Sequence, residues 1–173
     1  MRKTYLTLSA CLLFAVVAQG QTELQTEILN TWKKHTEMTA LLAKGIDEAY
    51  LADQSASGGR TVGEQLAHMH NVRLMWVGGM LEGQQQKPDD EIDADESKSH
   101  AYLMKQLASS DELIGSLLKN ALADDTKFGE MSAVRFMGYL IAHEAHTRGQ
   151  IILAMKQSGH ALPPQVTYGI WQW

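Results

Sequence analysis

One long segment, Phe136 to Gln157, most restricts how this chain can fold. Its sequence, FMGYLIAHEAHTRGQIILAMKQ, is apolar at both ends nearly all the way around a helix. A helix of this kind is usually buried on every side, so we expect it at the centre of the fold. Its middle nevertheless carries six polar residues, His143, Glu144, His146, Thr147, Arg148 and Gln150. Because an unsatisfied buried polar group costs about 1–3 kcal/mol, the rest of the chain must supply partners for this polar belt.

The first 20 residues have the composition of an export signal. Arg2 and Lys3 precede an apolar run, and Ala18-Gln19-Gly20 offers the small residues that a signal peptidase needs. We therefore expect cleavage after Gly20, with a single domain over residues 21–173 in the periplasm or outside a bacterial cell. The alternative is a lipidated Cys11, because Leu8-Ser9-Ala10-Cys11 resembles a lipobox, and the protein would then be anchored to a membrane.

Charge and cysteine content narrow the class of partner. The chain carries a net charge of −5, and cleavage would remove two basic residues and take it to −7. Nucleic acids and anionic lipid surfaces are therefore not expected partners. The sole cysteine lies in the signal, so the domain has no disulfide and no thiol nucleophile of its own.

The remaining pattern predicts three further helices and no strands. Helix one is expected from about Glu23 to Leu51, helix two from Thr61 to Leu81 and helix three from Ser97 to Leu122. Helix one has a seam that steps by threes and fours through Ile28, Trp32, His35, Leu42, Ile46 and Ala49, in which we expect His35 to donate to a backbone carbonyl. In helix two, Thr61 and Glu64 fit a capping box, and His68 and His70 flank the apolar face on opposite sides, so that periodicity does not choose between them.

The segment GQQQKPDDEIDADES predicts a long acidic crossover between helices two and three. Its alternating acids suggest a calcium loop, but the glycine and the closing glutamate of an EF-hand are missing, and a solvated loop explains them better. Helix four should begin near Met131 and stop at Ser158-Gly159, after which Trp171 and Trp173 are expected to pack back on the bundle. The fold class is all-α, a four-helix bundle.

Histidines within the polar belt suggest a metal site. His143 and His146 are three residues apart and can share one face of helix four, and a histidine of helix two would complete a three-histidine set. Such open sites suit zinc, nickel or ferrous iron. The competing interpretation is a hydrogen-bonded polar layer without metal.

The segments LAHMHNVRLMW and HEAHTRGQIILAMKQSG resemble the DinB-like superfamily, and the resemblance extends over the whole domain. It implies a four-helix bundle of the DinB/YfiT type, commonly a homodimer, with a divalent metal on three histidines. Some relatives are thiol-dependent S-transferases or isomerases. Carried over by position, the resemblance assigns His68 and His143 as ligands. The second helix-four ligand falls on Thr147, because this chain reads HTRGQ where relatives often read HHRGQ.

That threonine separates two functional hypotheses. An alcohol is a poor replacement for imidazole, so His146, His70 or His35 supplies the third ligand, or the site is degenerate. We expect an exported protein with a degenerate metal site between helices two and four. The alternative is a metal-dependent thiol transferase, isomerase or hydrolase acting on a small molecule, and the sequence leaves the question of enzyme activity open. Around the site we expect Glu144 to pair with Arg148, and Gln150 to bond within the belt.

Overall fold

The computed structural model describes residues 2–80, 92 and 99–173, with side chains described from residue 20 onward as far as Gly78 and again at 92 and 99–173. Four long helices dominate: α1 (Arg2–Lys44), α2 (Val62–Met80), α3 (His100–Asp124) and α4 (Ala133–Gln157). A short helix, α5 (Pro164–Gly169), follows, and no strand occurs among the described residues. The predicted all-α four-helix bundle is confirmed.

The four long helices pack in a ring, in which α3 and α4 also contact each other. Helices α1 and α2 lie diagonally, and each contacts both α3 and α4. Residue numbers rise together along the contacts between α1 and α4, and they run in opposite directions along the α1–α3 and α2–α4 contacts. Helices α1 and α4 therefore point one way, and α2 and α3 point the other way. Parallel successive helices require a connection as long as the bundle, and the long crossover between α2 and α3 meets that requirement.

Local signals set most helix boundaries. The capping box at the start of α2 is present, since Thr61 N donates to Glu64 Oε2 at 2.7 Å and Glu64 N donates to Thr61 Oγ1 at 3.3 Å. Ser99 and Ser132 cap α3 and α4, which begin at His100 and Ala133 rather than at Ser97 and Met131. The predicted stop after α4 is also present, with Gly159 in the left-handed region at φ 85°.

The predicted end of helix one at Leu51 is wrong. Helix α1 ends at Lys44, and a 3₁₀ turn, Glu48–Tyr50, follows, capped by the side chain of Asp47. A β-carbon at Gly45 would lie 2.8 Å from Val166, so the chain turns where only glycine lets α5 approach. The turn moves Ala49, predicted on the buried seam, to the surface.

The acidic crossover lies almost entirely outside the described residues, including the candidate calcium ligands. Its one described residue, Ile92, is 3% exposed. The side chain of Asn71 on α2 donates to the carbonyl of Ile92 and accepts from its N–H, at 2.7 and 2.9 Å. This pair ties the crossover to the outside of α2.

The polar belt lies between two apolar clusters. On α4, one cluster includes Phe136, Met137 and Leu140, and the other includes Ile151, Ala154 and Met155. The expectation that this helix is buried all the way round is wrong, because Tyr139 and Leu153 are 39% and 47% exposed. None of the helices in the described part of the chain combines the length and hydropathy needed to cross a membrane.

Candidate metal centre

The inner half of the belt is an ionic network around Glu144, whose side chain is fully buried. Arg73 of α2 donates to both carboxylate oxygens, from Nε at 2.7 Å and from Nη2 at 2.8 Å. On α1, His35 Nε2 lies 2.9 Å from Oε2, and Thr39 Oγ1 donates to the same oxygen at 3.3 Å. One carboxylate thus joins three helices.

A second guanidinium closes this network. Arg148 Nη1 donates to Thr39 Oγ1 at 2.8 Å and lies 3.3 Å from His35 Nδ1. Burial alone would raise the pKa of Glu144, but the charge of Arg73 and the hydrogen bonds from His35 and Arg73 hold that pKa well below its ordinary range. The carboxylate is therefore ionised at neutral pH, and this part of the belt is structural.

The outer half of the belt is a histidine pair. His68 of α2 and His143 of α4 are both half-buried, and their Nε2 atoms are 3.2 Å apart, with ring centroids 5.0 Å apart. One of these nitrogens must carry a hydrogen that the other accepts, or both must face a cation. Tyr139 lies alongside the ring of His143, with 6.3 Å between the ring centroids.

Electrostatics keep this pair neutral. Burial, together with the nearby charges of Arg60 and His143, lowers the pKa of His68 to about 4. Burial also lowers the pKa of His143, against the opposing effect of Glu144. Neutral imidazoles are the form that binds metal ions, so both rings are in the charge state that metal binding requires at neutral pH.

The Nδ1 atom of His143 is buried and has no hydrogen-bond partner among the described residues. Metal-binding histidines usually donate a hydrogen bond from this second nitrogen to a carboxylate or carbonyl, which fixes the ring and strengthens the ligand. The carboxylate of Glu144, the next residue along α4, is occupied by Arg73 and His35. His143 therefore lacks the support that a tightly binding ligand has.

The two candidate third ligands on α4, Thr147 and His146, are both engaged in other hydrogen bonds. Thr147 is 2% exposed, and its hydroxyl donates to the carbonyl of His143 at 3.1 Å. His146 is exposed, and its Nε2 lies 2.7 Å from Nε2 of Gln150. In the part of the chain that the structure describes, no cluster of three histidines, cysteines or carboxylates is placed to hold a metal ion.

The two other histidines that the sequence offers as ligands, His70 and His35, form hydrogen bonds with other groups. His70 Nδ1 lies 2.9 Å from the carbonyl of Gln106, on the α3 side of α2, which leaves His68 as the helix-two partner of His143. His35 does not donate to a carbonyl as expected but bonds to the Glu144 carboxylate. Periodicity could not choose between His68 and His70, and their opposite placements explain why.

The two-pronged partner of Glu144 is Arg73 of α2 rather than Arg148, the expected partner four residues later on α4. The signal for Arg73 was present: it lies four residues after Met69 and three before Trp76, on the face predicted to be buried. An arginine there needs a buried acid, and Glu144 is the one acid in the central turns of α4.

Comparison with known families agrees with this architecture. The model described as the DinB family matches residues 19–172, nearly the whole chain. No curated protein and no solved structure matches the chain. The matched description names a family and no reaction.

Proposed function

Because this chain belongs to the DinB family, we propose that it is an exported protein that binds a divalent transition metal, weakly, at His68 and His143. The observation that carries the proposal is the 3.2 Å separation of the two Nε2 atoms. Two nitrogens bound to one ion at about 2.1 Å, at angles between octahedral and tetrahedral values, lie about 3.0–3.4 Å apart. The pair therefore fits adjacent positions on one zinc, nickel or ferrous ion.

The same geometry supports weak rather than tight binding. Without metal, the arrangement that best suits the buried, unpartnered Nδ1 of His143 leaves it bare, with the proton on Nε2 donated to His68. Metal binding needs the Nε2 lone pair, so the proton must move to Nδ1, where no acceptor is found among the described residues. An unsatisfied buried donor costs about 1–3 kcal/mol, which corresponds to roughly 5- to 150-fold in affinity.

Two imidazoles fill only part of a coordination sphere. A divalent ion held there would act as a Lewis acid toward water or a small ligand in its remaining positions. His68 and His143 would hold that ion. Tyr139 lies beside the ring of His143, and the charge of Arg60 is near both rings. A positive charge at Arg60 disfavours the cation and favours an anionic small molecule beside it.

Calorimetric titration with zinc and with nickel tests the proposal on metal-stripped protein. We expect weak or partial binding by the parent chain, and a loss of at least about tenfold for His68→Ala and for His143→Ala, which remove half of the donor set. Thr147→His should tighten binding, since it places imidazole at the position where the resemblance expects a ligand. Circular dichroism of each variant checks that the bundle is intact.

A matched control is His160→Gln, which removes a histidine that is bonded to Asp53 at 2.7 Å, outside the belt. This variant should bind like the parent. Equal affinity of His68→Ala, His143→Ala and His160→Gln would show that the metal site is elsewhere, and tight binding that survives His143→Ala would show the same.

A further inference from the structure

A chain of two glutamines connects α2 to His146. Gln65 Nε2 donates to Gln150 Oε1 at 2.6 Å, and Gln150 Nε2 donates to His146 Nε2 at 2.7 Å. An amide NH₂ group only donates, so the imidazole nitrogen that it meets must be the acceptor. His146 is thereby held with Nε2 unprotonated, which is the form that binds a metal ion.

This glutamine relay, Gln65–Gln150–His146, lies within one helical turn of the histidine pair on both helices. Gln65 precedes His68 by three residues on α2, and His146 follows His143 by three residues on α4. Residues three apart on a helix are surface neighbours, with Cβ atoms about 5–6 Å apart. Bundle metal sites elsewhere use two ligands at this same spacing on one helix.

We propose that His146 is a third ligand which the metal recruits, and that Gln150, braced by Gln65, holds it away from the pair until then. The proposal rests on metal binding at His68 and His143. His146 and Gln150 are both exposed, so water replaces their hydrogen bond at little cost when the ring turns. Thr147 cannot compete for the role, because its hydroxyl is buried and donates to the carbonyl of His143.

In this latch, Gln150 holds His146 by a hydrogen bond until a metal ion displaces it. Two consequences distinguish the latch from a fixed polar contact. Binding needs no proton transfer at His146, since the relay already leaves its Nε2 lone pair bare. The affinity for metal is also set by competition, because every bound ion must break the Gln150–His146 hydrogen bond. Removal of Gln150 should therefore strengthen binding, although Gln150 itself is not a ligand.

The experiment is calorimetric titration of the purified chain with zinc and with nickel, in a double-mutant cycle. His146→Ala should weaken binding by about tenfold or more, as expected for a lost ligand. Gln150→Ala should tighten it by about two- to tenfold, the range that a lost competing hydrogen bond allows. In the double variant the gain should vanish, because the released ring is no longer there. Gln165→Ala, an exposed glutamine on α5, is the control and should match the parent.

Nitrogen-15 spectra of the histidine rings give a second readout. In the parent, zinc should shift Nε2 of His146 together with Nε2 of His68 and His143. If His68→Ala and His143→Ala abolish binding while His146→Ala and Gln150→Ala match the parent, the latch is wrong and the two-histidine site stands. If no variant binds metal, both proposals are overturned. Binding by Gln150→Ala alone would support the latch.

Discussion

The carboxylate of Glu144 receives hydrogen bonds from two helices other than its own, and each of its partners contacts further groups. Arg73 also donates from Nη1 to the carbonyl of Leu107 and the hydroxyl of Ser110 on α3, at 2.9 and 3.1 Å. All four long helices therefore meet at a single buried ion pair. Breaking such a pair by removing one partner is strongly destabilising, because the remaining charge stays buried without compensation.

Glu144→Gln should lower the free energy of unfolding by about 3–5 kcal/mol, because it leaves the buried guanidinium of Arg73 unpaired. Urea denaturation followed by circular dichroism measures the change. Glu37→Gln is the control, since Glu37 is an exposed glutamate on α1 in a surface ion pair with Lys33 and should change stability little. Equal effects of the two substitutions would contradict the central role of Glu144.

The same carboxylate predicts how stability depends on pH. Its pKa is lower in the folded chain than the ordinary glutamate value of about 4.3, so the unfolded chain binds the proton first. The stabilisation is fully present above that ordinary value and is lost as pH falls through it toward the folded pKa. Denaturation midpoints between about pH 6 and pH 3 should fall steeply for the parent and less steeply for Glu144→Gln. A parallel pair of curves would show that other groups dominate acid unfolding.

The sequence predicts where most helices begin and end, but not which side chains pair between helices. The capping box of Thr61 and the stop at Gly159 involve residues a few positions apart, so the sequence alone predicts them. The Arg73–Glu144 pair joins residues 71 positions apart, and helical periodicity contains no information about which helices are neighbours. The pairing of His68 with His143 was reached through the resemblance rather than through spacing.

The outer face of α4 shows a second limit of hydropathy patterns. Its exposed positions include four small residues, Gly138, Ala142, Ala145 and Gly149. Counting apolar residues around the helix treats them as core, although such small side chains gain little from burial. The polar belt was correctly located, whereas the claim of burial on every side was wrong.

The C-terminal residues do not pack as the sequence predicts. The segment docks through Val166 of α5 and Ile170, the residue after the helix, which are four residues apart and 8% and 5% exposed. Trp171 and Trp173, expected to pack on the bundle, are 73% and 63% exposed. The sequence showed that these residues are apolar but not which of them would face the bundle.

The double variant Trp171→Ala, Trp173→Ala should therefore unfold at nearly the parent temperature, because little apolar area is lost from the core. Trp32→Ala provides the contrast: Trp32 is 3% exposed beneath the guanidinium of Arg73, and its loss should cost about 3–5 kcal/mol. Differential scanning calorimetry compares the two. A large loss of stability in the double variant would show that the indoles are packed in solution.

For the whole molecule, export and assembly are the two open proposals. The family match begins at residue 19, beside the predicted cleavage position. This boundary of the match supports a domain that starts near Gln21.

Amino-terminal sequencing of the protein from its native host tests the proposed export. We expect the chain to begin at Gln21, because a signal peptidase cuts after small residues such as those at Ala18 and Gly20. Mass spectrometry of the same sample detects the alternative, a lipid on Cys11. An intact Met1 or a lipidated Cys11 would contradict a soluble exported protein.

The outer face of α4 predicts how the molecule assembles. A helix face that meets water usually carries charge, but none of the exposed residues between Phe136 and Met155 is acidic, lysine or arginine. Tyr139 and Leu153 are 39% and 47% exposed toward the two ends of this face, and the exposed residues between them include Ala142, Ala145 and Gly149. Small residues let two helices approach closely, so we propose a homodimer packed through the strip of Gly138, Ala142, Ala145 and Gly149, with His146 and Gln150 at its edge, open to water.

Light scattering coupled to size exclusion should accordingly give twice the mass of one chain. Ala145→Glu, which places a charge in the middle of this face, should yield a monomer, since desolvating an unpaired carboxylate opposes association. Ala101→Glu is the matched control: it changes an exposed alanine near the start of α3, where a negative charge also suits the helix end, and the dimer should persist. A parent chain that stays monomeric at high micromolar concentration would refute the dimer, and dissociation by both variants would place the interface elsewhere than on α4.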